Sequence, residues 1–156
     1  MTSRFIQLKK TNYNLYQLGL SIERQINISP SAIFSEGTTF IEGLVKEIYN
    51  KEDMEYQRKV PFYVKVQVLF DKNIISKPFY RFLKQAYKSR NRIHNEFNSP
   101  KQYFDENKKQ AFRLYELLVK CSHCYNDYLI NQNPPEYSVH KEYDKHLFSS
   151  LLEVVY

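Results

Sequence analysis

Glycine is scarce in this sequence of 156 residues, which contains only 3 glycines and 6 prolines. Sandwiches and barrels of β-strands need many tight turns, so this scarcity argues against both architectures. Because 42% of the residues are apolar, the chain can form a packed core and is not expected to be disordered throughout. The composition favours one domain spanning residues 1–156, built from long helices with few connections.

Cysteine and long apolar runs are also scarce. The two cysteines, Cys121 and Cys124, cannot supply the disulfide framework of a small secreted protein, which makes a reducing, cytoplasmic environment the default expectation. No apolar run approaches the length of a membrane-spanning helix, and the segment MTSRFIQLKK lacks the apolar stretch of a signal peptide. We therefore predict a cytoplasmic protein without a membrane partner.

Apolar residues recur every three or four positions over three long segments, which indicates amphipathic helices. The second of these segments opens at Ser29-Pro30, an order typical of a helix N-cap followed by proline in the first turn. Gly37 is expected to weaken the middle of that helix. The predicted helices cover 12–28, 30–51 and 106–130, within a bundle core of 12–130, and a loop at 131–143 precedes a C-terminal helix or docking segment at 144–156.

The segment 61–71 allows two interpretations. Val64, Val66 and Val68 alternate with polar residues, and β-branched side chains of this kind favour a strand. The apolar residues on either side of the three valines suit a buried helix equally well. Taken alone, the local pattern favours the strand.

Positive charge is concentrated between Lys77 and Arg92, in a segment that opens on a second helix-entry signal, Ser76 to Pro78, with the proline near the start. This segment contains six basic residues and no acidic one, and its charge therefore equals the +6 of the whole chain. A basic stripe can neutralise successive phosphates of a nucleic acid, although a solvated helix face without acids has the same pattern. Residues of the stripe recur at three and four positions, and the candidate nucleic-acid contacts are Arg81, Lys84, Lys88 and Arg92.

Arg90 and His94 are four residues apart, which places them on one face of a continuous helix, one turn from each other. On a helix running to Phe97, this face points nearly opposite to the basic stripe. An arginine fork can hold a phosphate, and a histidine that titrates near neutrality can move a proton at an RNA 2′-hydroxyl. In the alternative interpretation, His94 satisfies a carbonyl group of the core and Arg90 pairs with a glutamate such as Glu42.

The sequence Cys121-Ser122-His123-Cys124 imitates half of a zinc site. It lies within the helix predicted for 106–130, and the chain has no second pair of cysteines with this spacing. Buried cysteines in the apolar stripe of a helix explain the same residues. Glycine-rich phosphate loops and the common hydrolase and metalloprotease motifs are missing, so we predict neither a metal nor a cofactor.

Several segments, in order, resemble the HEPN-type domain found at the N-terminus of type I restriction motor subunits and related helicases. The resemblance spans roughly 4–130, and it continues with an aromatic-aliphatic helix, a helix carrying Arg, Asn and His, and a long closing helix. Its first segments are Leu15-Tyr16-Gln17-Leu18-Gly19 with Glu23, the Ser29-Pro30 turn, and Phe40-Ile41-Glu42 with Leu44-Val45.

This resemblance implies an all-α, antiparallel helical bundle with about five main helices and a short C-terminal element, and therefore a helix at 61–71. Active members of the family are usually metal-independent ribonucleases whose arginine and histidine meet at a dimer interface, and many belong to toxin–antitoxin or antiviral systems. The implied partners are a second copy of the chain, RNA, and an antitoxin or a restriction or helicase subunit. In that function Arg90 grips phosphate, Asn91 positions the site, His94 is the acid and base, and Glu42 orients Arg90.

The spacing of the arginine and the histidine departs from the usual active motif, because only three residues separate Arg90 from His94 instead of four to six. Lys88 would restore a longer gap, but lysine lacks the two-pronged grip of arginine on phosphate. Related restriction-type domains often have a basic residue where this chain has Thr38. These departures favour a second function, a non-catalytic HEPN-like module for dimerisation or for docking a nuclease, helicase or antitoxin.

Overall fold

The computed structural model describes residues 2–90 and 99–132, which form a bundle of helices. Within these ranges no residue belongs to a strand, which confirms the predicted all-α helical bundle. None of the helices in this part of the chain combines the length and the apolar character needed to cross a lipid bilayer. The helices are α1 (Leu8–Thr11), α2 (Tyr13–Gln25), α3 (Ala32–Lys51), α4 (Phe62–Asp71), α5 (Lys77–Lys88) and α6 (Pro100–Gln132).

The apolar stripes of α3 and α6 meet in the centre of the bundle. Ile41 and Leu44 on α3 and Leu118 on α6 are completely buried. Gly37 contributes to this packing, because a Cβ atom at this position would lie 3.0 Å from the Cδ2 atom of Leu114. The residue that the sequence marks as a weak point of α3 therefore allows α6 to approach closely.

The amino-terminal segment is attached to the bundle by both apolar and polar contacts. Phe5 is completely buried, and its ring lies 5.1 Å from the ring of Phe40. The Arg4 guanidinium pairs with both carboxylate oxygens of Glu116, at 2.5 and 2.9 Å. The hydrophobic core therefore includes residues that precede the predicted core boundary at residue 12.

Residues 62–71 form helix α4, so the strand that the local pattern favours is wrong and the helix implied by the family resemblance is confirmed. Phe62, Val66 and Leu69 are buried at helical spacing. The hydroxyl of Tyr49 on α3 donates a 2.8 Å hydrogen bond to the backbone carbonyl of Lys65 on α4. Packing against the neighbouring helix therefore decides the conformation of a segment whose β-branched residues favour a strand.

Helix α5 begins as predicted but ends early. The Ser76 hydroxyl accepts a 3.3 Å hydrogen bond from the backbone N–H of Phe79, which is the expected N-cap. The helix ends at Lys88, whereas the predicted helix continues to Phe97. Ser89 and Arg90 form a turn, so the predicted continuous helix is wrong at these two residues, and residues 91–98 lie outside the described ranges.

Helix α6 is longer than predicted at both ends. It starts at Pro100, in the segment expected to break the preceding helix, and it ends at Gln132. The predicted loop at 131–143 is therefore wrong at its first two residues, which are helical. The rest of that loop and the predicted C-terminal segment at 144–156 lie outside the described part of the chain.

Candidate nucleic-acid interface

A cavity of about 510 Å³ lies between the start of α4 and the exposed face of α5. This volume is within the range of ordinary ligand pockets. None of the described residues that line the cavity is acidic. We call this cavity the basic groove, and its lining residues are Phe62, Tyr63, Arg81, Lys84, Gln85, Tyr87, Lys88 and Arg90.

The basic side of the groove follows from the amphipathic pattern of α5. Phe79, Leu83 and Ala86 are buried on the inner face of this helix. Arg81, Lys84 and Lys88 recur at spacings of three and four and are exposed on the outer face. Like charges gathered along one cavity create a positive potential that attracts anions.

Arg90 lies on the same side as these basic residues, so the prediction that it faces away from them is wrong. Arg90 reaches this side through its contacts with Tyr87, which itself lines the groove. The Cζ atom of Arg90 lies 3.8 Å from the ring centre of Tyr87. Its Nη1 group donates a 2.7 Å hydrogen bond to the backbone carbonyl of Tyr87.

Arg90, Tyr87 and Phe62 form a stack in which the guanidinium lies on one ring and that ring lies on the next. The ring of Tyr87 stacks on that of Phe62, with ring centres 4.3 Å apart and an angle of 22° between the planes. Phe62 is only 6% exposed and belongs to the core. The guanidinium of Arg90 is therefore held on a ring that is itself packed against the bundle, which limits the orientations open to it.

Glu42 lies exposed on α3, and within the described ranges it forms no ion pair with Arg90. Its neighbour is Tyr56, where burial first and the Glu42 carboxylate second raise the pKa of the phenol. The Nζ atom of Lys65 lies 3.6 Å from the ring centre of Tyr56, so this buried lysine is covered by an aromatic ring. The family resemblance implies that Glu42 orients Arg90. In the structure, Arg90 is held by Tyr87 instead.

Three of the predicted site residues, Asn91, Arg92 and His94, lie outside the described residues. The structure brings together the other four basic candidates, Arg81, Lys84, Lys88 and Arg90, around one groove. The sequence predicts the stripe of Arg81, Lys84 and Lys88, whereas it places Arg90 on the opposite face of a continuous helix.

Tyr63, which the sequence does not mark as a site residue, lines the groove and is 64% exposed. In the sequence it stands beside Phe62, among the apolar residues that flank the three valines. Once 62–71 is a helix that buries residues 62, 66 and 69, residue 63 faces away from the core. If residues 62–71 are taken as a helix, its periodicity identifies Tyr63 as an exposed aromatic residue.

The half zinc motif is buried in α6 and packs inside the bundle. Cys121 and Cys124 belong to the core, and burial raises the pKa of the Cys121 thiol. The Nδ1 atom of His123 accepts a 3.0 Å hydrogen bond from Gln7, and burial, together with the charge of Arg4, lowers the pKa of its imidazole. Among the residues that the structure describes, no three potential ligands are grouped as a metal ion would require.

Comparisons of the chain with protein-family models, with curated proteins and with solved structures give no match. The resemblance to HEPN-type domains therefore remains a hypothesis based on the sequence segments. The basic groove and the residues that line it are the features of this chain that bear on its function.

Proposed function

We propose that this chain is a HEPN-like RNA-binding protein of a prokaryotic defence or toxin system, and that RNA binds in the basic groove. The observation that carries the proposal is the grouping of Arg81, Lys84, Lys88 and Arg90 around one cavity whose described lining contains no acid. RNA combines regularly spaced phosphates with aromatic bases. The groove offers cations for the phosphates and aromatic side chains for the bases.

The proposal predicts how strongly the RNA affinity depends on salt concentration. Each phosphate neutralised on a single strand contributes about −0.7 to the slope of log K against log salt concentration. Four cations in the groove therefore predict a slope of about −3 for single-stranded RNA. A protein that binds through apolar contacts alone would show a slope near zero.

Cleavage of the bound RNA is the proposed chemistry, with Arg90 and His94 as the central residues. His94 removes the proton of a 2′-hydroxyl, and the freed oxygen attacks the adjacent phosphorus while the bond to the 5′-oxygen breaks. His94 then acts as the acid and gives this proton to the leaving 5′-oxygen, so the products are a 2′,3′-cyclic phosphate and a 5′-hydroxyl. Asn91 positions this site, and no metal ion takes part in the step.

The position of Arg90 suits a role in stabilising charge on the phosphate. An arginine has five N–H donors, and the hydrogen bond to the Tyr87 carbonyl uses only one of them. Within the described residues no other partner engages the fork, which leaves its remaining donors for two parallel hydrogen bonds to a phosphate. His94 follows Arg90 by four residues, so their Cα atoms lie within about 14 Å of each other even if the chain between them is fully extended.

The second function, a non-catalytic HEPN-like module that forms a homodimer or docks a nuclease, helicase or antitoxin, is supported by exposed aromatic residues on α6. Tyr103, Phe104 and Phe112 in the first half of this helix are 37%, 44% and 37% exposed. Aromatic residues are enriched at protein interfaces, where they supply much of the binding energy. In this function the same chain binds a protein partner and cleaves nothing.

The test combines RNA binding and RNA cleavage in buffer containing EDTA. We expect the wild-type chain to bind and cleave, His94→Ala to bind without cleaving, and the double variant Arg81→Ala/Lys84→Ala to lose binding. Lys9→Ala/Lys10→Ala removes two exposed lysines of α1 outside the groove and serves as the control for net charge.

The outcomes separate the two functions. Binding without cleavage by the wild-type chain rejects the ribonuclease and leaves RNA binding in place. A wild-type chain that binds no RNA rejects the proposal, and a change in oligomeric state on His94→Ala, measured by light scattering, then supports the interaction module.

A further inference from the structure

We infer that the basic groove selects unpaired RNA, because Tyr63 presents an exposed ring on which a single base can stack beside the phosphate-binding cations. The inference rests on the proposed RNA binding and adds the kind of strand that is recognised. Tyr63 lines the groove and is 64% exposed. Within the described ranges its ring packs against no other aromatic ring, and its hydroxyl makes no hydrogen bond.

The other aromatic residues beside the groove already have stacking partners. Phe62 and Tyr87 stack on each other, and Arg90 covers Tyr87 as well. On the neighbouring part of α4 and α5, Phe70 stacks on Tyr80 with ring centres 4.4 Å apart. Among the described residues that line the groove, Tyr63 is therefore the aromatic residue whose ring can stack on a ligand.

The cations on α5 are spaced to follow a strand that passes Tyr63. Arg81 and Lys88 are seven residues apart, which corresponds to about 10 Å along a helix axis. With a rise of about 3.4 Å per nucleotide in a stacked strand, this length covers about three nucleotides. A backbone held along α5 therefore places successive bases within reach of the groove that contains Tyr63.

Base pairing would remove this contact. In a duplex each base is stacked between its neighbours, so no base face is free for a tyrosine, whereas the phosphates remain accessible to the cations. Stacking on an aromatic side chain is tolerant of base identity, since every base has a flat face. We therefore expect a preference for single-stranded RNA with little preference for sequence.

The experiment compares the binding of one labelled single-stranded RNA with that of the same strand annealed to its complement, by fluorescence anisotropy at one salt concentration. We expect Tyr63→Ala to weaken binding of the single strand about ten-fold, in line with the loss of one stacked base, and to leave duplex binding unchanged. Tyr63→Phe keeps the ring and should bind as the wild type. Tyr13→Ala removes a tyrosine that is 56% exposed on α2, outside the groove, and is the matched control.

The possible results distinguish this inference from the proposed function. If Arg81→Ala/Lys84→Ala loses RNA binding but Tyr63→Ala does not, RNA binding stands and the selection of unpaired bases by Tyr63 is wrong. Equal losses for the single strand and the duplex on Tyr63→Ala also overturn the inference. If the wild-type chain binds neither RNA, the proposed function fails, and the inference fails with it. Circular dichroism confirms that each variant is folded.

Discussion

Arg90 packs its guanidinium on the ring of Tyr87 and donates a hydrogen bond to the carbonyl oxygen of the same residue. The two contacts act on different parts of Tyr87, since one depends on the side chain and the other on the backbone. Substitutions of the side chain can therefore remove the stacking without removing the hydrogen-bond acceptor. This relationship makes the role of Arg90 accessible to a double-mutant cycle.

Tyr87→Leu should weaken RNA binding several-fold, because the ring that holds Arg90 over the groove is lost, while Tyr87→Phe should bind as the wild type. In an Arg90→Ala background the same Tyr87→Leu substitution should have little further effect, since the two residues act as one unit. Binding is measured by anisotropy at a temperature at which circular dichroism shows all variants folded. Losses that simply add would show that Tyr87 acts independently of Arg90.

A pair of glycine substitutions tests the packing of the amino-terminal segment. In Gly19→Ala the new Cβ would lie 2.6 Å from the Cδ2 atom of the completely buried Phe5. This overpacking costs about 1–3 kcal/mol and the gain in helix propensity is about 1 kcal/mol, so we expect a net loss of stability of up to about 2 kcal/mol. Urea unfolding followed by circular dichroism measures the difference.

Gly43→Ala is the matched substitution on α3. Its Cβ would lie 2.8 Å from the end of the Leu15 side chain, and the next nearest atom is 3.8 Å away. A small rotation of Leu15 relieves this contact, so we expect Gly43→Ala to be neutral or slightly stabilising. A similar loss of stability for both variants would contradict the proposed difference between Phe5 and Leu15.

The buried His123 predicts a dependence of stability on pH. Burial, aided by the charge of Arg4, lowers the pKa of this imidazole below its ordinary 6.5 in the folded chain. The unfolded chain therefore binds the proton more readily, and the free energy of unfolding should decrease as the pH falls below 6.5. His123→Gln should show a smaller decrease over the same interval in urea unfolding. An identical pH profile for both proteins would exclude His123 as the source.

The two cysteines should be unreactive in the folded protein. Cys121 is completely buried, Cys124 is 3% exposed, and burial raises the pKa of the Cys121 thiol. Only the thiolate reacts rapidly with alkylating reagents, so we expect modification only after unfolding in urea. Mass spectrometry after timed exposure to iodoacetamide measures the rate. Rapid modification of the native protein would show that this part of α6 opens or is more exposed than the structure indicates.

The spacing of apolar and charged residues was sufficient to predict much of the bundle. The helices at 12–28, 30–51 and 106–130 correspond to α2, α3 and α6 because a buried stripe must recur every three to four residues on any helix. The Ser76 cap and the exposed basic stripe of α5 were predictable for the same reason, since each depends on neighbours within one or two turns.

Tertiary contacts decided the features on which the function depends. The sequence of 62–71 suits both a strand and a helix. The helix forms because Phe62, Val66 and Leu69 pack against the rest of the bundle, and the local pattern does not specify that packing. Arg90 follows the end of α5 and packs on Tyr87, and Tyr87 in turn stacks on Phe62 from another helix. Periodicity describes one helix at a time, whereas the basic groove arises where two helices meet. The sequence alone therefore identifies the cations, and only the packing of α4 against α5 gathers them around one cavity.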